Sequence, residues 1–182
     1  MALRTPIDES TEEIREALRP LRRDFSVAVV AAGNEFAIGA IIRVAHSFLA
    51  REIVLVGCEP HYEKASMGMA KYETIVRLPD EQAFADYVVG RPVFAFERET
   101  ATQSVYALAA FPPGVVLLFG SERFGLSARL MHSATSVLAI PMHGVNQSFP
   151  LAIAAGIAMS EWTRRHELGA QSSRGSSSPS AR

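Results

Sequence analysis

Three short stretches carry side chains suited to chemistry on a phosphate-bearing substrate. In Gly33-Asn-Glu-Phe-Ala-Ile-Gly-Ala-Ile-Ile-Arg43 a single guanidinium sits in an otherwise apolar helical pattern. Arg grips phosphate oxygens in pairs and stays charged at any working pH. Arg43 is thus aimed at a phosphate or a developing oxyanion, or it is a salt-bridged, snorkelling side chain. In Leu118-Phe-Gly-Ser-Glu-Arg-Phe-Gly-Leu-Ser127, Gly120 permits close backbone approach to a ligand or a tight turn. Glu122 in the same stretch either caps the next helix or hydrogen-bonds a ligand. In Ala139-Ile-Pro-Met-His-Gly-Val-Asn-Gln-Ser-Phe-Pro150, Ser148 stands as an N-cap with Pro150 in the first helical turn. It is either only a cap or part of a ligand site built on free amides and a hydroxyl.

Each stretch needs an element to hold it. Phe25 to Ala32 is an apolar, β-rich run of buried-strand character, and Ile38 to Leu49 has helical spacing. Further strands are expected at Ile53–Val56, Glu73–Val76, Pro92–Phe96, Val115–Phe119 and Ser136–Ile140. Ser10 and Glu13 form a capping box for a helix ending near Pro20. Other helices are expected at 63–70, after Asp80, at 127–133 and at 149–165. About six strands alternating with helices predict an α/β fold, a mostly parallel sheet with helices on both faces. In such sheets ligands bind beyond the carboxyl ends of the strands. That singles out the loops after Ala32, Phe96, Phe119 and Ile140.

Composition narrows the chemistry. The 182 residues, 48% hydrophobic and 20% charged, suit one folded domain. The formal net charge is −1, so a nucleic-acid partner requires a local basic patch. One cysteine, Cys58, excludes an internal disulfide and a cysteine-based zinc cage. The five histidines lack metal-ligand spacing, and no metal is expected. Dinucleotide and P-loop fingerprints and a nucleophile elbow are absent. No signal peptide or membrane span is visible, so a cytoplasmic location without membrane association is expected.

With these three motifs at these strand ends, the chain resembles the SpoU, or TrmH-like, branch of the SPOUT RNA methyltransferases. That pattern runs roughly N-x-x-N-x-G-A-I-x-R, then F-G-x-E-x-x-G-L, then I-P-M-x-G-x-x-x-S-L-N-V-S. The matches are Asn34, Gly39-Ala-Ile41 and Arg43, then Phe119-Gly120, Glu122 and Gly125-Leu126, then Ile140-Pro-Met142, Gly144 and Ser148. The likeness covers about residues 25 to 165. It departs at Ala37, Pro150 and Ala152, where the pattern has Asn, Asn and Ser.

The resemblance implies a trefoil-knotted SPOUT domain, S-adenosylmethionine as cofactor, and methyl transfer to a ribose 2′-hydroxyl of tRNA or rRNA. It implies Arg43 and Asn34 as catalytic residues. Phe96, Gly120, Ile140, Met142 and Ser148 would line the cofactor site, with Arg43 and Glu122 toward the substrate. A guanidinium with a pKa above about 12 rarely gives up its proton, so stabilising an alkoxide is the easier role for Arg43. The alternative left by the three departures is a catalytically weak or inactive RNA-binding protein on the same fold.

Organisation follows. Residues 1–24 are expected to form a helical extension, 25–168 the methyltransferase domain, and 169–182 a disordered Ser-rich tail. Phe149 to Met159 is apolar all round, which predicts burial in a homodimer interface or else complete burial inside one subunit. Arg15, Arg19, Arg22 and Arg23, with Arg164 and Arg165, are the basic clusters for RNA, or else solvated helix ends.

Overall fold

The computed structural model describes residues 9–175, with side chains to 167. Seven parallel strands form one sheet: β1 (Phe25–Val30), β2 (Ile53–Val56), β3 (Ile75–Leu78), β4 (Val93–Phe96), β5 (Gln103–Ser104), β6 (Val115–Phe119) and β7 (Ser136–Ala139). Their spatial order is β3-β2-β1-β6-β4-β7-β5. Five strands fall where they were expected, and β3 begins at Ile75, two residues after the expected start at Glu73. The seventh, β5, is a two-residue edge pairing with β7 that has no apolar pattern.

The helices are α1 (Thr11–Leu18), α2 (Glu35–Ser47), α3 (Glu63–Ser66), α4 (Glu81–Tyr87), α5 (Ala128–His132) and α6 (Leu151–Gly175). Alternate residues of a strand face opposite sides of the sheet, so an apolar run supplies two cores at once. Phe25, Val27 and Val29 of β1 join α2 and α6 on one face, through Ile38, Ile41, Ile42, Ala155, Met159 and Trp162. Ala28, Val54, Val116 and Leu118 meet Phe84 and Val88 of the α4 segment and Leu130 of α5 on the other. The rings of Phe25 and Trp162 lie 4.5 Å apart. The largest side chains thus anchor α6 to the first strand.

Charged groups close the molecule elsewhere. Glu73 is buried and receives both guanidinium nitrogens of Arg22 at 2.6 and 2.9 Å, with His46 Nδ1 at 2.6 Å. At the start of β2, burial alone would raise the Glu52 pKa. Hydrogen bonds from Tyr87, Arg91 and Ser26 outweigh it and hold that carboxyl below its usual range. The basic clusters at 15–23 and 164–165 are largely engaged within the chain: Arg19 with Glu16, Arg22 with Glu73, Arg23 with Glu167, and Arg164 and Arg165 with Glu161. Their ion pairs support the helix-end reading over an RNA grip.

Helix α3 ends at Ser66, short of the expected 70, and three helix boundaries near the site or the C-terminus also differ from expectation. Helix α2 starts at Glu35, a turn before Ile38, because the Asn34 side chain accepts from the Ala37 N–H at 2.9 Å and caps it. Helix α6 starts at Leu151, so Ser148 is not its N-cap; the Pro150 carbonyl takes the first helical bond, from Ala154 N–H at 3.0 Å. That helix also runs on to Gly175, so residues 169–175 are helical where a disordered tail was expected. The rest of that expectation, 176–182, and the first eight residues of the N-terminal extension lie outside the described residues.

Candidate active site

A cleft of about 530 Å³ opens at the carboxyl ends of β4, β6 and β7, within the size range of small-molecule sites. Its walls come from the turn after β4 (Phe96 to Glu99), the turn after β6 (Gly120 to Glu122 and Gly125), and the loop from β7 into α6. Sheet pairing brings these three turns together. Strand β4 lies between β6 and β7, in register Phe96↔Phe119 and Phe96↔Leu138. The Phe96 and Phe119 rings stack at 4.7 Å.

The turn after β6 is built around glycine. A Cβ on Gly120 would lie 2.2 Å from the carbonyl carbon of Gly125, because the chain doubles back through a bridge between Ser121 and Gly125. The two hydrogen bonds of that bridge measure 3.1 and 2.9 Å. Gly125 has φ +63°, and a Cβ there would meet the Glu97 carboxylate at 2.8 Å. Any other residue at Gly120 would force this turn open.

Glu122 joins the motifs. Its Oε1 accepts from the Leu151 N–H at 3.1 Å, the first amide of α6, and its Oε2 accepts from the Asn34 side-chain amide. One carboxylate therefore holds the start of α6 and the cap of α2 against the turn after β6. A carboxylate at a helix N-terminus also gains from the aligned peptide dipoles. Across the cleft, Arg98 donates to the Gln147 side-chain carbonyl at 3.2 Å.

The cleft is lined by Phe96, Gly120, Ile140, Met142 and Ser148, and by Glu122. Asn34 stands beside it, bonded to Glu122. Arg43 is absent from its walls: it is exposed on α2, and its guanidinium has no partner among the described residues. Nine residues separate it from the cap, about 13 Å of helix at 1.5 Å each, too far for the side chain to return to this cleft. Sequence reasoning stopped at Phe96 and missed Glu97, Arg98 and Glu99, which add charge to the cleft, and the polar Gln147. Their signal was position alone, directly beyond strand ends. Among the described residues no cluster of three or more His, Cys, Asp or Glu is placed to hold a metal ion, and no helix is long and apolar enough to cross a membrane.

Residues 24–160 match the SpoU rRNA methylase family. A 23S rRNA (adenosine(1067)-2′-O)-methyltransferase of Streptomyces laurentii is 33% identical over 137 residues, 71% of this chain and 50% of that protein. The AdoMet-bound structure of an rRNA methyltransferase from Sinorhizobium meliloti superposes with a TM-score of 0.70 at 30% identity, over 84% of this chain and 60% of that one. The A. aeolicus TrmH/SpoU tRNA modifying enzyme shares the fold, with a TM-score of 0.77 at 23% identity over 92% of this chain and 88% of that one. The chain spans about half the length of the curated relatives it matches.

Proposed function

The chain belongs to the SpoU rRNA methylase family, and from that membership we propose that it transfers a methyl group from S-adenosylmethionine to a ribose 2′-hydroxyl of RNA. The observation that carries the proposal is the meeting of three motifs at Glu122, with the cleft of matching residues beside it. The names of the Streptomyces and Sinorhizobium proteins support the reaction and the donor.

The residues present suit that donor. Leu138, Ile140, Leu151 and Ala154 give an apolar wall for a purine, and Glu97, Glu99 and Glu122 bring negative charge toward a molecule carrying a sulfonium and an ammonium. When bound, the donor supplies an electrophilic methyl group. The protein then has to set the hydroxyl in line with it, which is worth roughly 7–11 kcal/mol when orientation is good. The new O–C bond would form as the S–C bond breaks, releasing the neutral thioether, and the hydroxyl proton would pass to solvent water. Asn34, fixed through Glu122, is suited to orient the nucleotide. Arg43 is suited to stabilise the forming alkoxide and grip the adjacent phosphate.

Arg43 does not reach its own cleft, so in this reading it serves a second copy. Its helix offers a surface for one. Phe36 is 63% exposed on α2 and Ile153 52% exposed on α6, and the two helices pack side by side, with Val44 3.7 Å from the Cβ position at Gly156. Exposed large apolar groups on adjacent helices suit a self-complementary dimer face.

Arg43→Ala is expected to abolish tritiated-methyl transfer to RNA while leaving S-adenosylmethionine binding, read by calorimetry, within a few-fold of wild type. A fully active variant removes Arg43 from the reaction. The second reading, a weak or inactive RNA-binding protein, draws on Pro150, which lines the cleft where the pattern carries Asn. Failure of the wild type to bind S-adenosylmethionine in the same calorimeter would favour it.

A further inference from the structure

Phe124 is 74% exposed, and it stands on the turn that forms one wall of the cleft. A lone exposed apolar side chain needs no function by itself, but this ring stands between two residues that line the cleft, carries a guanidinium beside it, and is used by neither the core nor the donor site. Hydrogen bonds within the turn fix its backbone. The Ser121–Gly125 bridge closes beneath it, the Ser121 hydroxyl accepts from the Phe124 N–H at 3.1 Å, and Glu122, two residues away, is tied to two helices. The Arg123 guanidinium lies 5.0 Å from the ring centroid. A flat ring with a cation against it is thus carried on the turn, between the cleft-lining Glu122 and Gly125.

We propose that Phe124 and Arg123 form a stacking site for an unpaired nucleobase of the RNA, at or next to the accepting nucleotide. The inference rests on the function proposed above and adds a subsite to it. The ribose that accepts the methyl group must enter the cleft. Its base, one glycosidic bond away, and the neighbouring bases, one backbone unit away, must then lie beside the cleft. RNA recognised in single-stranded regions is held by stacking splayed bases on aromatic rings and on Arg, and such stacking tolerates any base. Arg123 adds a phosphate contact at the same place. The site therefore sets affinity for unpaired RNA without reading sequence.

The test compares Phe124→Ala, Phe124→Leu and Phe124→Trp with wild type. Transfer of tritiated methyl to total RNA from cells lacking the gene gives KM for RNA, and calorimetry gives the donor affinity. Stacking is worth roughly 1–3 kcal/mol per base, so KM for RNA should rise about 5- to 150-fold in Phe124→Ala. Phe124→Leu should behave alike, because it keeps an apolar side chain but no π face. Phe124→Trp should stay near wild type, and donor affinity and Tm should not move. The one native tryptophan, Trp162, is buried, so emission from Phe124→Trp can report on the site directly. An unstructured RNA oligonucleotide should quench it more than the same strand in a duplex. Unchanged KM in Phe124→Ala overturns the site while wild-type transfer upholds the function. Quenching by the unpaired strand without any wild-type transfer overturns the function and leaves the site. Loss of the dimer in Phe124→Ala assigns the ring to the protein interface and overturns the site as well.

Discussion

Glu122 shows how one side chain can serve several motifs. Taken alone, a carboxylate three residues past a strand reads as a local cap or a ligand contact. In the folded chain it accepts from Asn34 on one side and from the Leu151 amide on the other. Its removal strips a cap from α6 and frees Asn34 together. A lost cap costs about 1 kcal/mol, and a displacement of about 1 Å at a catalytic group can cost a hundredfold in rate. Glu122→Ala should therefore lower Tm by only a few degrees yet reduce methyl transfer at least tenfold. Glu122→Gln keeps one acceptor and the side chain's length, and should fall between. A rate loss no larger than the stability change accounts for would refute the bridging role. This bridge was not legible in the sequence: 88 residues separate Asn34 from Glu122, and only pairing of β1 with β6 brings their loops together. Ser148 misled for the same reason, since residue type predicts a local cap and the first α6 amide is satisfied from another loop.

The elements themselves were far more legible. Parallel strands buried on both faces read as continuous apolar runs, so β1, β2, β4 and β6 stand out, whereas β5 has only Gln103 and Ser104 to mark it. The loops that carry the cleft followed from strand ends without knowledge of contacts. What the motif could not convey was why it contains Gly39. A Cβ there would meet the Tyr62 carbonyl oxygen at 2.5 Å and the Ala65 Cβ at 2.8 Å, so α2 crosses the α3 segment at a distance only glycine allows. Two effects oppose each other in Gly39→Ala. Intrinsic helix propensity favours alanine by about 1 kcal/mol. Overpacking against backbone costs about 1–3 kcal/mol, and the colliding oxygen is fixed by its own hydrogen bond from Ala65 N–H at 3.0 Å. Collision should win. A thermal melt followed by circular dichroism should show a lower midpoint for Gly39→Ala, and a rise would mean that α3 yields at no cost.

At the scale of the whole molecule, the placement of Arg43 requires explanation. It lies along α2, away from the cleft its own chain builds, on the side where Phe36 and Ile153 face outward. A two-fold dimer through that side would bury the apolar groups and carry each Arg43 toward the opposite cleft. The proposal makes a prediction that no single-chain site shares. Arg43→Ala leaves a chain with a sound cleft and no guanidinium. Ser148→Trp, at an exposed position in the cleft wall, fills the cleft while Arg43 stays intact, and calorimetry should show that it binds no donor. Each variant alone should be inactive. When the two are unfolded together and refolded, half the dimers by chance combine one chain of each kind, and each of these holds one complete site. Activity should then return to roughly a quarter of wild type, as expected for two equivalent sites in a self-complementary pair. If Arg43 acted within its own chain, no mixture would recover activity, because every cleft would lack either its guanidinium or its space. Adding Ile153→Asp to both variants should abolish the recovery by separating the chains, and sedimentation of the mixture would confirm that they had parted.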